Sequence, residues 1–198
     1  MLDEISIEYS NATMIVRFVR PEIRNPLSVV VLDQLHSIID GLLEEDITGA
    51  VVFTGAGNSF ASGADLREIA KVSASDAPAF ARYGQQLMGK VAAMEMPTFA
   101  AINGFCFGGA LDLALACDFR IASSDAKFAH PGAGLGIITG WSGTQRLPRL
   151  VGTAHALEIF FTASPISAEK AFSIGLIDSI ADDPVADSLA KISHSASS

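Results

Sequence analysis

The sequence has few cysteines and few positive charges. Of its 198 residues only Cys106 and Cys117 are cysteine, without a CxxC pattern, so neither a disulfide framework nor a zinc site is expected. Lys and Arg total 13 against 22 Asp and Glu, a net charge of −9. This balance argues against a basic face for nucleic acid or an anionic membrane. An acidic chain can still bind an anionic ligand locally, through a few cations or helix N-termini.

Targeting and membrane-spanning patterns are also missing. Met1 is followed by Leu-Asp-Glu, so no charged region leads into an apolar run, as it does in a signal peptide. No stretch of about 18 residues stays apolar without charges and turn formers. Hydrophobic residues are 49% and charged residues 18% of the chain, a composition typical of a folded domain. We therefore expect a cytoplasmic protein with no membrane partner.

The N-terminal segment alternates apolar and polar residues on either side of Asn11. This period of two predicts a β-hairpin over residues 5–19. Its apolar residues are expected in two sets, with Ile5, Ile7 and Tyr9 on one face and Met14, Val16 and Phe18 on another.

Buried strands and amphipathic helices alternate after the hairpin. Residues 49–54 and 98–102 are continuous apolar runs, which predict strands covered on both faces. Apolar residues recur at helical spacing after Ser28, a good N-cap, and again from Phe80 to Met94. This order favours βαβ units with a parallel sheet, an α/β fold. Further strands are predicted over 118–122, 126–129 and 176–180, further helices over 140–151, 154–162, 168–174 and 182–192, and a frayed tail over 193–198.

Two glycine-rich turns, residues 55–65 and 103–109, each join an apolar strand to a helix. Ligands of parallel sheets bind at the carboxyl edge, where such turns lie. Backbone N–H groups from both turns could converge on one oxygen as an oxyanion hole. The alternative is that the glycines only permit tight turns. Asp112 lies about one helical turn beyond Gly109, so its carboxylate can face the same ligand.

Several other motifs of enzymatic chemistry are incomplete. Gly55-Ala56-Gly57 begins like a dinucleotide fingerprint, but Phe60 stands where the third glycine belongs, and no glycine run ends in Lys-Ser or Lys-Thr. Residues 140–144 approach a nucleophile elbow but end in Thr144. The four histidines have no metal-ligand spacing, so no metal site is expected. His130, beside a Pro-Gly loop, stays a candidate for chemistry.

Four segments, in order, resemble the crotonase superfamily, also called the enoyl-CoA hydratase/isomerase superfamily. The resemblance implies a crotonase-like α/β spiral of ββα/βαβ turns, homotrimers or hexamers, an acyl-CoA thioester as substrate and no cofactor. It places the crotonase-fold domain at 1–181 and a short helical or frayed C-terminal tail at 182–198, a smaller C-terminal helical region than family members usually have. The matching segments are Phe60–Leu66, Ala101–Leu113, Ala116–Asp118 and Gly143–Leu147.

The same resemblance implies roles for individual residues. The backbone N–H groups of Ala64 and Gly109 correspond to those that bind the thioester oxygen in the family, and Asp112 corresponds to a catalytic acid/base. Polarising the thioester C=O in this way stabilises an enolate, so protons or water can add at the neighbouring carbons. Substrate contacts are implied for Arg24, Ala64, Asp65, Leu66, Gly108, Gly109 and Gly132.

The sequence departs from the hydratase pattern at one of two acids. Hydratases of the family place two glutamates around the double bond; the counterparts here are Asp112 and Gly132. We therefore expect an acyl-CoA hydratase/isomerase-type enzyme with Asp112 as its single acid/base. The alternatives are a non-catalytic acyl-CoA-binding or assembly subunit, and another crotonase reaction such as hydrolysis or decarboxylation. His130 is the candidate for a substitute base.

Overall fold

The computed structural model describes residues 4–44 and 49–195, and in these ranges the chain forms two sheets with helices around them. The strands are β1 (Ile5–Ser10), β2 (Thr13–Phe18), β3 (Ala50–Gly55), β4 (Ser59–Ala61), β5 (Thr98–Ile102), β6 (Phe105–Phe107), β7 (Phe119–Ala122), β8 (Lys127–Ala129), β9 (Ile166–Ser167) and β10 (Ser179–Ile180). The helices are α1 (Val29–Glu44), α2 (Leu66–Ile69), α3 (Ala77–Ala92), α4 (Gly109–Ala116), α5 (Gly143–Val151), α6 (Thr153–Thr162), α7 (Ala168–Ser173) and α8 (Pro184–Ser195). None of these helices is both long and apolar enough to cross a bilayer.

The larger sheet has the strand order β1-β2-β3-β5-β7-β10, and all its pairs except β1 with β2 are parallel. The smaller sheet has the order β4-β6-β8-β9, in which β8 and β9 are antiparallel. Helices connect the parallel strands, as a βαβ arrangement requires. The predicted α/β fold with βαβ units and a parallel sheet is confirmed. Sequence periodicity did not anticipate the smaller sheet, because β4 and β6 are three-residue strands inside the glycine-rich turns.

The hairpin forms as predicted, but its apolar residues share one face. Side chains directly opposite each other in an antiparallel pair point to the same side of the sheet, so the predicted separation into two faces is wrong. β2 is largely buried because it lies between β1 and β3, whereas Ile7 and Tyr9 on edge strand β1 are 44% and 65% exposed. The directly opposed pairs are Ile5 with Phe18, Ile7 with Val16 and Tyr9 with Met14.

The apolar core lies on both sides of the larger sheet. On one side, α1, α3 and α4 cover the sheet, and the largest buried side chains include Phe18, Phe53 and Phe128. On the other side, α8 covers a smaller cluster through Val185, Leu189 and Ile192. Helix α8 continues through Ser195, so the prediction that residues 193–195 are frayed is wrong. Residues 196–198, the rest of the predicted frayed tail, lie outside the described part of the chain.

Asparagine side chains hold the first glycine-rich turn in place. The Asn25 amide donates to the Ser59 carbonyl at 2.8 Å, and the Asn103 amide donates to the Gly57 carbonyl at 2.9 Å. Buried backbone groups in an irregular turn need such partners, since no ladder satisfies them. Because β3 and β5 are parallel neighbours, the two glycine-rich turns that follow them lie at one edge of the sheet.

Candidate active site

The two glycine-rich turns are in backbone contact at Gly63 and Gly109. Gly63 has φ +87°, and a β-carbon built on it would lie 2.6 Å from the Phe107 oxygen and 3.0 Å from the Gly109 nitrogen. Only glycine permits both this dihedral angle and this approach. Ala64, the next residue, and Gly109, the first residue of α4, therefore lie side by side and line the same cavity of about 280 Å³.

The N–H groups of Ala64 and Gly109 have no protein acceptor in the described ranges. Gly109 is at the start of α4, where a helix leaves its first N–H groups unpaired. Gly108, with φ +55°, turns the chain into the helix and is held by its own N–H, which donates to the Ala129 carbonyl at 2.9 Å. Two unpaired donors thus lie next to one cavity at a helix N-terminus, a favourable position for a negatively charged oxygen.

The six other predicted site residues differ in how close they lie to this cavity. Leu66, Gly108 and Gly132 contribute to the wall, as does Asp112. Asp65 does not line the cavity: it caps α2 by accepting from the Arg67 N–H at 2.8 Å and pairs with the Arg67 guanidinium. That guanidinium holds the pKa of the Asp65 carboxyl below its usual value.

Arg24 also lies outside the cavity lining. It ends a 3₁₀ turn with φ 62° and its guanidinium lies over the Phe105 ring, 4.9 Å from the ring centroid. A guanidinium on an aromatic face is stabilised by the ring quadrupole. Phe105 belongs to β6, which leads into Gly108. The Arg24 guanidinium therefore packs against the second glycine-rich turn and does not line the cavity.

The Asp112 carboxyl is completely buried in the cavity wall, with 0% exposure. Its Oδ2 accepts a hydrogen bond from the Thr139 hydroxyl, and its Oδ1 has no hydrogen-bond partner among the described residues. Burial raises the pKa of Asp112 to about 7, although the Thr139 hydroxyl, the Trp141 backbone N–H and the Arg146 charge act in the opposite direction. The carboxyl can therefore both donate and accept a proton near neutral pH.

His130 lies beside the unpartnered oxygen of Asp112. Its Nε2 is 3.6 Å from Asp112 Oδ1, and the side chain is 2% exposed. In the described part of the chain neither ring nitrogen has a hydrogen-bond partner. Burial lowers the pKa of His130 to about 4, so the ring is neutral at physiological pH. The Phe160 ring packs on the imidazole, with the centroids 5.0 Å apart.

Comparison with known proteins connects this site to one family. The family model described as Enoyl-CoA hydratase/isomerase matches residues 8–194. The chain belongs to this family. The crystal structure of an enoyl-CoA hydratase from Bacillus anthracis superimposes with a TM-score of 0.93 at 34% identity, over 99% of this chain and 78% of that one. The resemblance to the crotonase superfamily is thereby confirmed.

Two further relatives are hydratases by name. The chain is 39% identical to the crotonyl-CoA hydratase of Syntrophomonas wolfei over 179 residues, which are 90% of this chain and 69% of that protein. It is 37% identical to the short-chain-enoyl-CoA hydratase of Clostridium acetobutylicum over 182 residues, which are 91% of this chain and 70% of that protein.

Within this enoyl-CoA hydratase/isomerase fold, Gly132 provides no acid and has no space for one. A β-carbon on Gly132 would lie 2.6 Å from the Ile137 carbonyl oxygen and 3.4 Å from the Ile138 α-carbon. The Ile137 N–H also donates to the Gly132 carbonyl at 3.0 Å, which closes the loop at this point. Because the obstacle is backbone rather than a flexible side chain, a residue larger than glycine requires the loop to move.

Sequence reasoning missed Thr139, Trp141 and Gly143, which enclose the site of this family member. Thr139 and Trp141 line the cavity, and a β-carbon on Gly143 would lie 2.0 Å from Asp112 Oδ1. The buried Trp141 indole occupies the space left by two glycines, since a β-carbon on Gly84 or Gly109 would lie 2.2 or 2.4 Å from it. The sequence signals were the incomplete nucleophile elbow at residues 140–144 and the family match over Gly143–Leu147, and neither indicated what these residues contact.

The cysteines are free thiols buried in the core. Burial raises the pKa of Cys117 to about 12 and that of Cys106 well above its usual value, so neither is a reactive thiolate. Within residues 4–44 and 49–195, no three His, Cys, Asp or Glu side chains are grouped as metal ligands.

Proposed function

We propose that this member of the enoyl-CoA hydratase/isomerase family acts on acyl-CoA thioesters through an enolate-like intermediate, without a cofactor. The backbone N–H groups of Ala64 and Gly109 bind the thioester oxygen, and Asp112 transfers a proton at C2, the carbon next to the carbonyl. The observation that supports this reaction is the meeting of both glycine-rich turns and a buried carboxyl at one cavity.

The two N–H groups supply the electrostatic part of the reaction. When a proton leaves C2 or a nucleophile adds at C3, negative charge develops on the thioester oxygen. Donors that are already aimed at this oxygen stabilise the charge without reorganisation, by about 3–4 kcal/mol per donor in measured cases. The backbone contact between Gly63 and Gly109 holds the donors together.

Asp112 supplies the proton transfer. Its pKa of about 7 leaves both protonation states populated near neutral pH, which is where a general acid/base is most effective. The Thr139 hydroxyl occupies Oδ2, so Oδ1 is the oxygen available to carry the transferred proton. Such a carboxyl can move a proton along an acyl chain and so isomerise a double bond.

We propose that the CoA part of the bound thioester extends from the cavity to the surface past Leu66, which is 54% exposed. The Arg24 guanidinium, held on the Phe105 ring, binds the CoA phosphates in this proposal. Asp65 contributes indirectly, because its side chain caps the start of α2. The proposed assembly is a homotrimer or hexamer, which light scattering at several protein concentrations tests directly.

The experiment is to compare Asp112→Asn with the unaltered protein on a panel of 2-enoyl- and 3-enoyl-CoA thioesters, following products by mass spectrometry. The panel also includes saturated acyl-CoA in D₂O, where exchange at C2 reports enolate formation alone. Loss of about 10²-fold or more in every conversion is expected, since an acid/base group contributes about 10²–10⁴-fold. The matched control is Asp40→Asn, which removes an exposed acid paired with Lys90. Unchanged turnover in Asp112→Asn would exclude this role.

The closed loop at Gly132 favours one other function, a non-catalytic acyl-CoA-binding subunit. With no acid at position 132 and no space for one, the site resembles a hydratase site that has lost one of its two acid/base residues. This alternative predicts acyl-CoA binding by calorimetry with no conversion of any panel member and no C2 exchange. Any turnover that depends on Asp112 rules it out.

A further inference from the structure

Three buried polar atoms without hydrogen-bond partners lie together in the wall of the cavity. They are Oδ1 of Asp112 and the two ring nitrogens of His130. Buried polar atoms are almost always hydrogen-bonded, and an unmatched group costs stability of the folded state. Within the described residues only Gln34 and Ser123 have other buried side-chain atoms of this kind. The grouping at Asp112 and His130 therefore points to a polar partner that arrives with the reaction.

We propose that His130 is the second acid/base residue of this site and holds the water molecule that adds to the acyl chain. It occupies the role that Gly132 cannot fill. The inference rests on the proposed function, because it assumes an acyl-CoA thioester bound at Ala64 and Gly109. It extends that function from proton transfer to hydration.

The position of the imidazole suits this role. His130 lies in the wall of the 280 Å³ cavity and also borders an adjoining cavity of about 210 Å³, lined by apolar residues such as Leu157 and Phe160. A neutral imidazole has one nitrogen that donates and one that accepts. With both nitrogens unpaired, the ring can accept a proton from water on one and pass a proton to Asp112 from the other.

The hydration step is balanced in atoms and charge. The oxygen of water bonds to C3, its proton passes to the free nitrogen of His130, and the C2=C3 electron pair moves toward the thioester to form the enolate. Protonated Asp112 then gives its proton to C2, and the enolate returns to a thioester. The resulting imidazolium and carboxylate are next to each other, with 3.6 Å between Nε2 and Oδ1. Transfer of the Nε2 proton to Asp112 neutralises both groups and leaves the imidazole protonated on its other nitrogen. Loss of that proton to solvent water and uptake of one at Nε2 restore the starting tautomer.

Among the described residues, Asp112 and His130 are the only titratable residues that line this cavity. Asp112 is the acid that faces the imidazole, and Arg146 acts on Asp112 only through its charge. The neighbouring Cys106 thiol is fully buried with a raised pKa, so it does not exchange protons near neutral pH. The Phe160 ring, packed on the imidazole, fixes its orientation.

The experiment measures two reactions in the same variants: hydration of a 2-enoyl-CoA, and deuterium exchange at C2 of a saturated acyl-CoA. Exchange needs the oxyanion donors and Asp112, whereas hydration also needs the residue that activates water. His130→Asn and His130→Gln are expected to lose hydration by about 10²-fold or more and to keep exchange within about threefold. The matched control is His36→Asn, a buried histidine that stacks on Tyr83 away from the cavity.

The outcomes separate this inference from the proposed function. A hydration loss at least 10-fold larger than the exchange loss in both variants supports His130 as the water-activating residue. A smaller difference, including a parallel loss of both reactions, overturns it. Exchange without hydration in the unaltered protein also overturns it, whether or not the variants fold, and leaves the proposed function standing. Absence of both reactions in the unaltered protein excludes the proposed function itself.

Discussion

Oδ1 of Asp112 lies against the α-carbon of Gly143, so closely that a β-carbon at position 143 would be 2.0 Å from it. Two non-bonded atoms do not approach this closely, so a side chain at position 143 would displace the Asp112 carboxyl, which the proposed reaction requires. A glycine at the start of α5 thus provides the space for the acid at the start of α4.

Gly143→Ala is expected to displace the Asp112 carboxyl and to lower acyl-CoA turnover by about 10²-fold, because misplacement of a reacting group by about 1 Å costs that much. The change should be visible in C2 exchange and in hydration alike. The matched control is Gly89→Ala, in α3, where an added β-carbon has nothing within 4 Å. That control should keep full activity and gain about 0.5–1 kcal/mol in the free energy of unfolding. Full activity in Gly143→Ala would contradict the placement of Asp112.

The Asp112–His130 pair predicts an unusual dependence of stability on pH. The pKa of Asp112 is raised to about 7 in the folded state, so on its own this group makes the protein less stable as pH rises from about 4 to about 7. The pKa of His130 is lowered to about 4, so on its own this group makes the protein more stable as pH rises from about 4 to about 6.5. Across that window the two contributions cancel.

Substituting one residue of the pair at a time should reveal the contribution of the other to the pH dependence of stability. Relative to the unaltered protein, Asp112→Asn should gain stability and His130→Gln should lose stability as pH rises through the window, each with a limiting slope of about 1.4 kcal/mol per pH unit. Urea unfolding at several pH values measures the difference, in which the other titrating groups cancel. Parallel pH profiles for all three proteins would show that the pair is not perturbed in this way.

Thr139→Val removes the hydroxyl that donates to Asp112 Oδ2 and keeps the shape of the side chain. A hydrogen bond to the charged form of a carboxyl lowers its pKa, so its loss is expected to raise the pKa of Asp112 above about 7. In C2 exchange the ionised carboxyl removes the proton, so the acid limb of the pH–rate profile for exchange should shift to higher pH. Carboxyl-carbon NMR of the labelled aspartate reports the same titration. Thr144→Val, one helical position beyond Gly143, is the control, and an unchanged pKa in Thr139→Val would contradict the hydrogen bond.

Restoring an acid at position 132 is not expected to restore a second carboxylate. Gly132→Glu must move the backbone of Ile137, so it should reduce stability by about 1–3 kcal/mol. Gly134→Glu, in the same 3₁₀ turn, is the matched control, because a β-carbon there meets nothing within 4 Å. Chemical denaturation of both variants measures the effect. Equal stabilities would mean that the 132–137 loop adapts freely.

Much of the fold was accessible from local patterns. The continuous apolar runs became β3 and β5, and Ser28 caps α1 through its hydroxyl, which accepts from the Val31 N–H at 3.2 Å. Ser167 caps α7 in the same way, and Gly175, with φ +76°, follows its end. These features depend on neighbours within one or two turns, so periodicity and capping chemistry are sufficient to find them.

Pairings over long distances along the chain were not accessible. The smaller sheet joins residues as distant as Ser59 and Phe105, and Phe105 and Lys127, through strands too short to show a period. The faces of the hairpin also depended on register: Ile7 lies opposite Val16 because of where the turn falls. A one-residue change in register reverses every side chain, so the pattern of one strand does not decide which residues of the other share its face.

By itself, the sequence determined that two glycine-rich turns each follow a buried strand and that one acid, Asp112, lies one helical turn beyond the second. Dihedral freedom, apolar runs and helical spacing are properties of short segments. The tertiary structure alone decided what surrounds that acid: Thr139 on one oxygen, His130 beside the other and Gly143 behind it. These contacts set its burial and therefore its pKa, because desolvation depends on everything packed around a group rather than on its neighbours in the chain.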